Sequence, residues 1–224
     1  MSIKTPKNWS NVILSEVCKI NPPRISTKGL SENLEVSFIP MSSLSARQGI
    51  VIESQTRKLS EVKTGFTNFS ENDILFAKIT PCMENGKSAI VGKLVNDIGY
   101  GSTEFYVIRC SDKLYNRFLY HLIRSEKFRE DAKKVMTGSV GQLRVPKKFL
   151  ENYKLYLPPI DEQRKIVEII DRLFTKLNAV EEKLRLFVGY SDIKNTTIGK
   201  IDLMKNAILA RAFRGELETN EVIF

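Results

Sequence analysis

Histidine is almost absent from this chain: His121 stands alone among 224 residues. That excludes histidine-rich metal sites and leaves no convincing Ser/His/Asp set, because His121 lies within an amphipathic stretch where a packing role suffices. Cysteine is sparse, odd in number and scattered, at Cys18, Cys82 and Cys110. This disfavours a disulfide framework and a structural zinc site. No apolar run approaches the roughly 20 residues of a membrane helix. Residues Met1–Ser10 lack the apolar core of a signal peptide. The expectation is a soluble, cytoplasmic protein with no membrane contact. Internal repeats, low-complexity tracts and a glycine-rich strand–turn–helix loop for S-adenosylmethionine are missing as well. No residue is assigned as catalytic or as a metal ligand, and no cofactor is expected in this chain.

What the chain does have is a lopsided charge and an abrupt change of character. The net charge is +9. Through Pro158 there are 24 Lys and Arg against 15 Asp and Glu; from Pro159 onward there are 11 of each, so the first part carries the whole excess. A basic region of this kind suits a polyanion, nucleic acid first. At Leu157-Pro158-Pro159-Ile160-Asp161-Glu162-Gln163 two prolines stop the preceding element. Asp161 is the expected N-cap of a helix whose first turn is acidic. This divides the chain into residues 1–158, a globular basic domain, and residues 159–224, a helical extension.

Within the first part, Val36–Ile39, Ile74–Ile79, Ser88–Val95, Glu104–Arg109 and Tyr153–Leu157 read as strands. Leu114–Met136 reads as a helix with Tyr115, Phe118, Leu119, Leu122 and Ile123 on one face. Pro146 opens a short helix over Lys147–Glu151. The order of elements predicts an α/β (α+β) domain with a mixed sheet. Four loops, Ser43–Gly49, Thr80–Lys87, Gly101–Thr103 and Thr137–Arg144, set small residues beside basic or amide side chains. Arg and Gln can pair two-pronged with guanine and adenine edges, while Lys and Ser/Thr suit phosphates. Arg47, Gln48, Gln142 and Arg144 are therefore the candidates for base edges of double-stranded DNA. Lys78, Lys87, Ser102, Thr103, Lys147 and Lys148 are the candidates for phosphates. The alternative for any one loop is ordinary turn chemistry with solvated charge.

Two motifs are set aside. Asn21-Pro22-Pro23-Arg24 is similar to the Asn-Pro-Pro-aromatic signature of adenine-N6 methyltransferases, but the aromatic position is an arginine, and it is read as a structural turn. Asp73, Glu84 and Lys87 have a loose nuclease-like order, yet both acids sit in turn contexts.

In the second part Ile166, Ile170, Leu173, Leu177, Val180, Leu184 and Phe187 repeat with 4-3 spacing, a heptad seam. The phase runs on to Ile201 and Ile208 through the weakening glycines Gly189 and Gly199. The pattern fits one long coiled-coil helix with a soft middle, or two helices with a short irregular stretch between. A lone helix with an apolar seam is unstable in water, so the seam needs a partner. Antiparallel self-pairing would hold two basic domains tens of Å apart, over two half-sites with an unread gap.

The junction Leu157–Val167 resembles the opening of the conserved region of type I restriction-modification specificity subunits, and Ala207–Leu217 resembles its end. Ile74–Val91, with its Phe-Ala-Lys-Ile-Thr-Pro-Cys-Met-Glu-Asn-Gly-Lys core, and Gly101–Phe105 are similar to one subfamily of the target-recognition domains. The resemblance implies a non-catalytic DNA reader that recruits modification subunits, which methylate adenine at N6, and restriction subunits. S-adenosylmethionine, ATP and Mg would belong to those partners. The usual subunit has two recognition domains and two helical regions, whereas this sequence has one of each. It resembles a half-subunit that forms a homodimer or pairs with a different half, or a fragment of a longer gene. The competing reading is a coiled-coil adaptor whose basic part binds RNA or an acidic protein.

Overall fold

The computed structural model describes residues 6–186 and 191–217. In chain order the elements are β1 (Ser10–Ile13), α1 (Leu14–Val17), β2 (Cys18–Ile20), β3 (Glu35–Ile39), β4 (Gln55–Lys58), α2 (Leu59–Val62), β5 (Thr67–Phe69) and β6 (Ile74–Ala77). They continue with β7 (Ser88–Ile90), β8 (Gly99–Gly101), β9 (Phe105–Cys110), α3 (Asn116–Arg124), α4 (Glu126–Lys134), α5 (Lys147–Glu151), β10 (Lys154–Leu157), α6 (Ile160–Leu186) and α7 (Ser191–Phe213). The chain divides into two units: Asn11–Leu155, and the residues up to Ser10 together with those from Tyr156.

The Asn11–Leu155 unit is built on two four-stranded sheets. One is antiparallel, ordered β2-β9-β6-β7. The other, β4-β3-β8-β5, is mixed, because β3 and β8 run parallel while its other pairs are antiparallel. The mixed sheet expected from the sequence is thus present. β1 and β10 form a separate two-stranded pair. All four residues of β6 are buried, which is why its sequence is a continuous apolar run. Leu75 and Ala77 enter a core with Ile39, Phe69, Val91, Phe105 and Val107. Phe76 instead meets Phe128 edge-on, with ring centroids 5.9 Å apart, and Phe128 continues into Phe149 and Tyr153.

Two local readings need correction. Gly101, read as the start of a loop, is the last residue of β8, which also holds Gly99. A Cβ on Gly99 would lie 2.2 Å from the Phe69 ring, and one on Gly101 would lie 2.4 Å from the Ile39 carbonyl oxygen. The glycines are there so that an aromatic ring and a neighbouring strand can approach the backbone. Leu114–Met136 is also not one helix. Ser125 adopts an extended conformation between α3 and α4, donates to the Leu122 carbonyl at 2.7 Å and caps α4 by accepting from the Phe128 N–H at 3.3 Å.

Of the two arrangements that the seam allowed, the helical unit has the two helices, α6 and α7. α6 starts at Ile160, so Asp161 lies within the first turn rather than at the cap. Buried Gln163 ties the helix start to the segment before it: its side-chain amide donates to the Pro158 carbonyl at 2.8 Å, and its backbone N–H makes the i→i−4 bond to the Pro159 carbonyl at 3.0 Å. Glu162 accepts from the Trp9 indole at 2.9 Å and the Asn8 amide at 2.7 Å, tying the N-terminal segment to the helix start. α6 and α7 then pack on each other in antiparallel fashion. Buried Glu181 accepts from Lys205 at 3.3 Å, 24 residues away in sequence. At the other end Gly215 sits against Pro6 and Trp9. The seam finds its partner inside the chain. Ile166, Ile170 and Ile201 are buried, while Leu173, Leu177, Leu184 and Ile208 are half-buried. Leu209 is buried where the 4-3 count pointed to Ile208. Val180 is exposed, and Phe187 lies outside the described residues. No helix among the described residues is long and apolar enough to cross a membrane.

Candidate nucleic-acid interface

The four singled-out loops are far apart in sequence, and the fold stitches them together. Three of them meet where the central strands of the antiparallel sheet, β6 and β9, pair at Ala77 and Phe105. Lys78, just past the end of β6, donates its ammonium to the Thr103 carbonyl at 2.7 Å. Ser102 caps the turn before β9 by accepting from the Glu104 N–H at 3.2 Å. Glu104 in turn receives both arms of the Arg144 guanidinium, Nε at 2.9 Å and the second nitrogen at 2.8 Å. Residues Thr137 and Arg144 close a hairpin by exchanging backbone hydrogen bonds of 3.0 and 2.8 Å. The stem is fixed further from below. The Thr80 N–H donates to the Leu143 carbonyl at 2.9 Å, Val145 donates to that of Lys78 at 2.8 Å, and the Tyr106 hydroxyl donates to that of Val145 at 2.9 Å.

The fourth loop joins through α3. Arg124 donates to the carbonyl of Gly86 at 2.7 Å and to those of Ala46 and Arg47 at 3.0 Å each, so one half-buried guanidinium holds two loops. Tyr120 adds a hydroxyl bond to the Gly49 carbonyl at 3.0 Å. Gly49 has a φ of +68°, and a Cβ there would lie 2.0 Å from that hydroxyl, so only glycine fits. Lys87 reaches across to the Met41 carbonyl at 3.0 Å. Arg129 holds the Glu84 carbonyl at 2.7 Å.

The electrostatics follow from these contacts. Hydrogen bonding from Arg144, helped by Lys78 and Arg144 charge and opposed by desolvation, holds the Glu104 carboxyl below the usual carboxylate range. Burial pushes the Lys78 ammonium down, with Glu104 opposing that shift and Arg144 adding to it. Burial likewise lowers Arg124.

The candidate residues therefore fall into two groups. Arg47, Gln48, Thr103, Gln142 and Lys148 have exposed side chains on or beside the stitched loops. Lys78, Lys87, Ser102 and Arg144 have side chains engaged inside the loop assembly, and Lys147 pairs with Glu151 at 2.9 Å. Sequence reasoning passed over Arg124, Glu104 and Tyr120. Arg124 was legible only as a charge on the polar side of a helix, because nothing local reveals that its partners are loop carbonyls. The two motifs set aside have structural partners. Asn21 exchanges hydrogen bonds with the Val107 backbone, at 2.7 Å through its N–H and 3.0 Å through its side chain. Asp73 is buried and clamped by Arg109 at 2.7 Å, while Glu84 pairs with Lys133 at 2.7 Å.

The family model for the type I restriction modification DNA specificity domain matches residues 6–186. The chain is 33% identical over 248 aligned positions to the type I restriction enzyme EcoEI specificity subunit of Escherichia coli, covering 96% of this chain and 41% of that protein. It is 34% identical to the EcoAI specificity subunit of the same species, again spanning 41% of its length. Among solved structures, the HsdS subunit of Thermoanaerobacter tengcongensis superposes with a TM-score of 0.67 at 23% identity, over 81% of this chain and 46% of that one.

Proposed function

The chain belongs to the type I restriction-modification DNA specificity family, and from that membership we propose that it is a non-catalytic subunit that reads one half of a bipartite duplex DNA target. The single observation that carries this reading is the loop assembly. Four loops are cross-linked by Arg124, Lys87 and the Arg144–Glu104 pair, and they present exposed Arg47, Gln48, Thr103 and Gln142. Rigid presentation of amide and guanidinium groups is what base-edge recognition requires. The positive excess on residues up to Pro158 supplies the sequence-independent attraction to phosphate.

In this reading the α6–α7 pair is the scaffold for the adenine-N6 modification subunits and the restriction subunits, which would bring S-adenosylmethionine, ATP and Mg. The chain spans 41% of the length of the curated relatives named above, and in this reading a second half completes the target. We take that half to be a second copy in inverted orientation, joined through the exposed Val180, Leu203 and Met204. The test is the N6-methyladenine map of the host genome with and without this gene. Loss at one interrupted palindrome is the expected result. Loss at an asymmetric bipartite site would require a different second half. An unchanged map in cells where the modification subunits are active would overturn the reading, and preference for RNA over duplex DNA would favour an adaptor.

A further inference from the structure

The Thr137–Arg144 hairpin combines a fixed stem with a bare tip. Its stem is held by the Thr137–Arg144 backbone pair, the Thr80–Leu143 bonds, the Val145–Lys78 bond and the Glu104 clamp on Arg144. From Thr137 through Gln142 every residue is exposed. Val140, at the tip, has a relative exposure of 101%, the highest of the large apolar side chains among the described residues. Isolated surface apolar residues are ordinary. What sets this one apart is its place, at the tip of a six-residue loop whose base is closed by the Thr137–Arg144 backbone pair and tied down by the other bonds just named. A narrow projecting loop of this kind is of a size to enter the B-DNA major groove, which is roughly 12 Å wide. Positive φ at Gly138 (+131°) and Gly141 (+80°) shapes the turn, and its only intervening side chains are the small Ser139 and Val140.

We propose that this hairpin enters the major groove and reads A·T pairs, with Gln142 on an adenine edge and Val140 on a thymine 5-methyl group, while Arg144 is a positioning residue that sets the hairpin. The proposal rests on the DNA-reading function argued above and names the bases that one element of it recognises. The chemistry is specific. A glutamine amide can donate to adenine N7 and accept from N6, and thymine alone offers the groove a methyl group that a small apolar side chain can cover. Arg144 has the side chain for reading guanine, but its fork is already filled by the Glu104 carboxylate.

The test uses the full chain co-expressed with the modification subunits of its host, and duplexes selected from a random pool. The wild-type complex is expected to select a sequence containing A·T pairs at which replacing one thymine by uracil weakens binding about three- to fourfold, the worth of one buried methyl. Val140→Ala should bind the thymine and uracil duplexes equally, and Gln142→Ala should lose about tenfold in preference for adenine within the same pairs. Arg144→Ala and Glu104→Ala should both relax those A·T positions, with Arg144→Lys partly restoring them. If Val140→Ala remains as sensitive to uracil as the wild type, the tip assignment is wrong. If Arg144→Ala instead relaxes a G·C position, Arg144 is a base reader and the positioning role is wrong. If the wild-type complex selects no sequence at all, the DNA-reading function itself falls.

Discussion

Arg144 and Glu104 show how a residue's chemistry depends on what it meets. An arginine on a glycine-rich loop is a natural candidate for a guanine edge, and here its two arms are taken by a carboxylate at 2.8 and 2.9 Å. Because Arg144 lowers the Glu104 pKa in the folded state, the pair stabilises the fold above the unfolded carboxyl value of about 4.3. That contribution disappears as pH falls through the depressed folded value. The melting temperature of wild type should exceed that of Glu104→Gln at pH 7, and the difference should vanish in acid. A second residue-scale expectation concerns Glu162, which accepts from the indole of Trp9, the chain's one tryptophan. Glu162→Ala should red-shift the Trp9 fluorescence, and the loss of a charge-assisted bond should cost about 1.5–3 kcal/mol in urea denaturation.

At the scale of elements, α6 and α7 show a heptad seam satisfied by a neighbouring helix of the same chain. Its weak point is polar. Glu181 is 3% exposed and pairs with Lys205, itself 16% exposed, and with Arg185 one helical turn on. Glu181→Ala would leave the Lys205 ammonium poorly compensated and should destabilise the protein by about 3 kcal/mol or more. Replacing both Glu181 and Lys205 by leucine should be close to neutral or stabilising. Chemical denaturation of the two single variants and the double variant measures the coupling. A leucine pair that costs as much as Glu181→Ala would show that geometry, rather than charge, holds the two helices in register.

At the scale of the whole molecule, the chain matches 41% of the length of full specificity subunits, and its inward-facing seam is already used. In the homodimer proposed above, the second copy meets the outer faces of the helices, where Leu203 and Met204 are exposed. Sedimentation should give a two-chain mass that falls with dilution, and Leu203→Glu with Met204→Glu should give a single chain without loss of helicity. A wild-type chain that stays single at all concentrations, with and without partner subunits, would rule out the inverted homodimer.

The sequence by itself determined what depends on neighbours in the chain. Alternation and turn residues located β3, β6 and β9, Pro146 marked α5, the paired prolines marked the start of α6, and charge counting located the basic region. Motifs at the junction, in Ile74–Val91 and near the end were sufficient to identify the family. Tertiary structure decided whatever depends on a partner distant in sequence. Gly101 looks like a loop residue until Phe69 and the Ile39 carbonyl are placed against it. The 4-3 repeat gives the face that must be covered, but a helix's own pattern does not say whether another chain or a later helix covers it. Arg47, Gln48 and Gln142 are exposed, while Lys78 and Lys87 are tied to loop carbonyls and Arg144 to a carboxylate, although all six have the same kind of local sequence. The physical reason is that a loop cation engages whichever unsatisfied carbonyl or carboxylate the fold brings within about 3 Å, and that partner is set by topology.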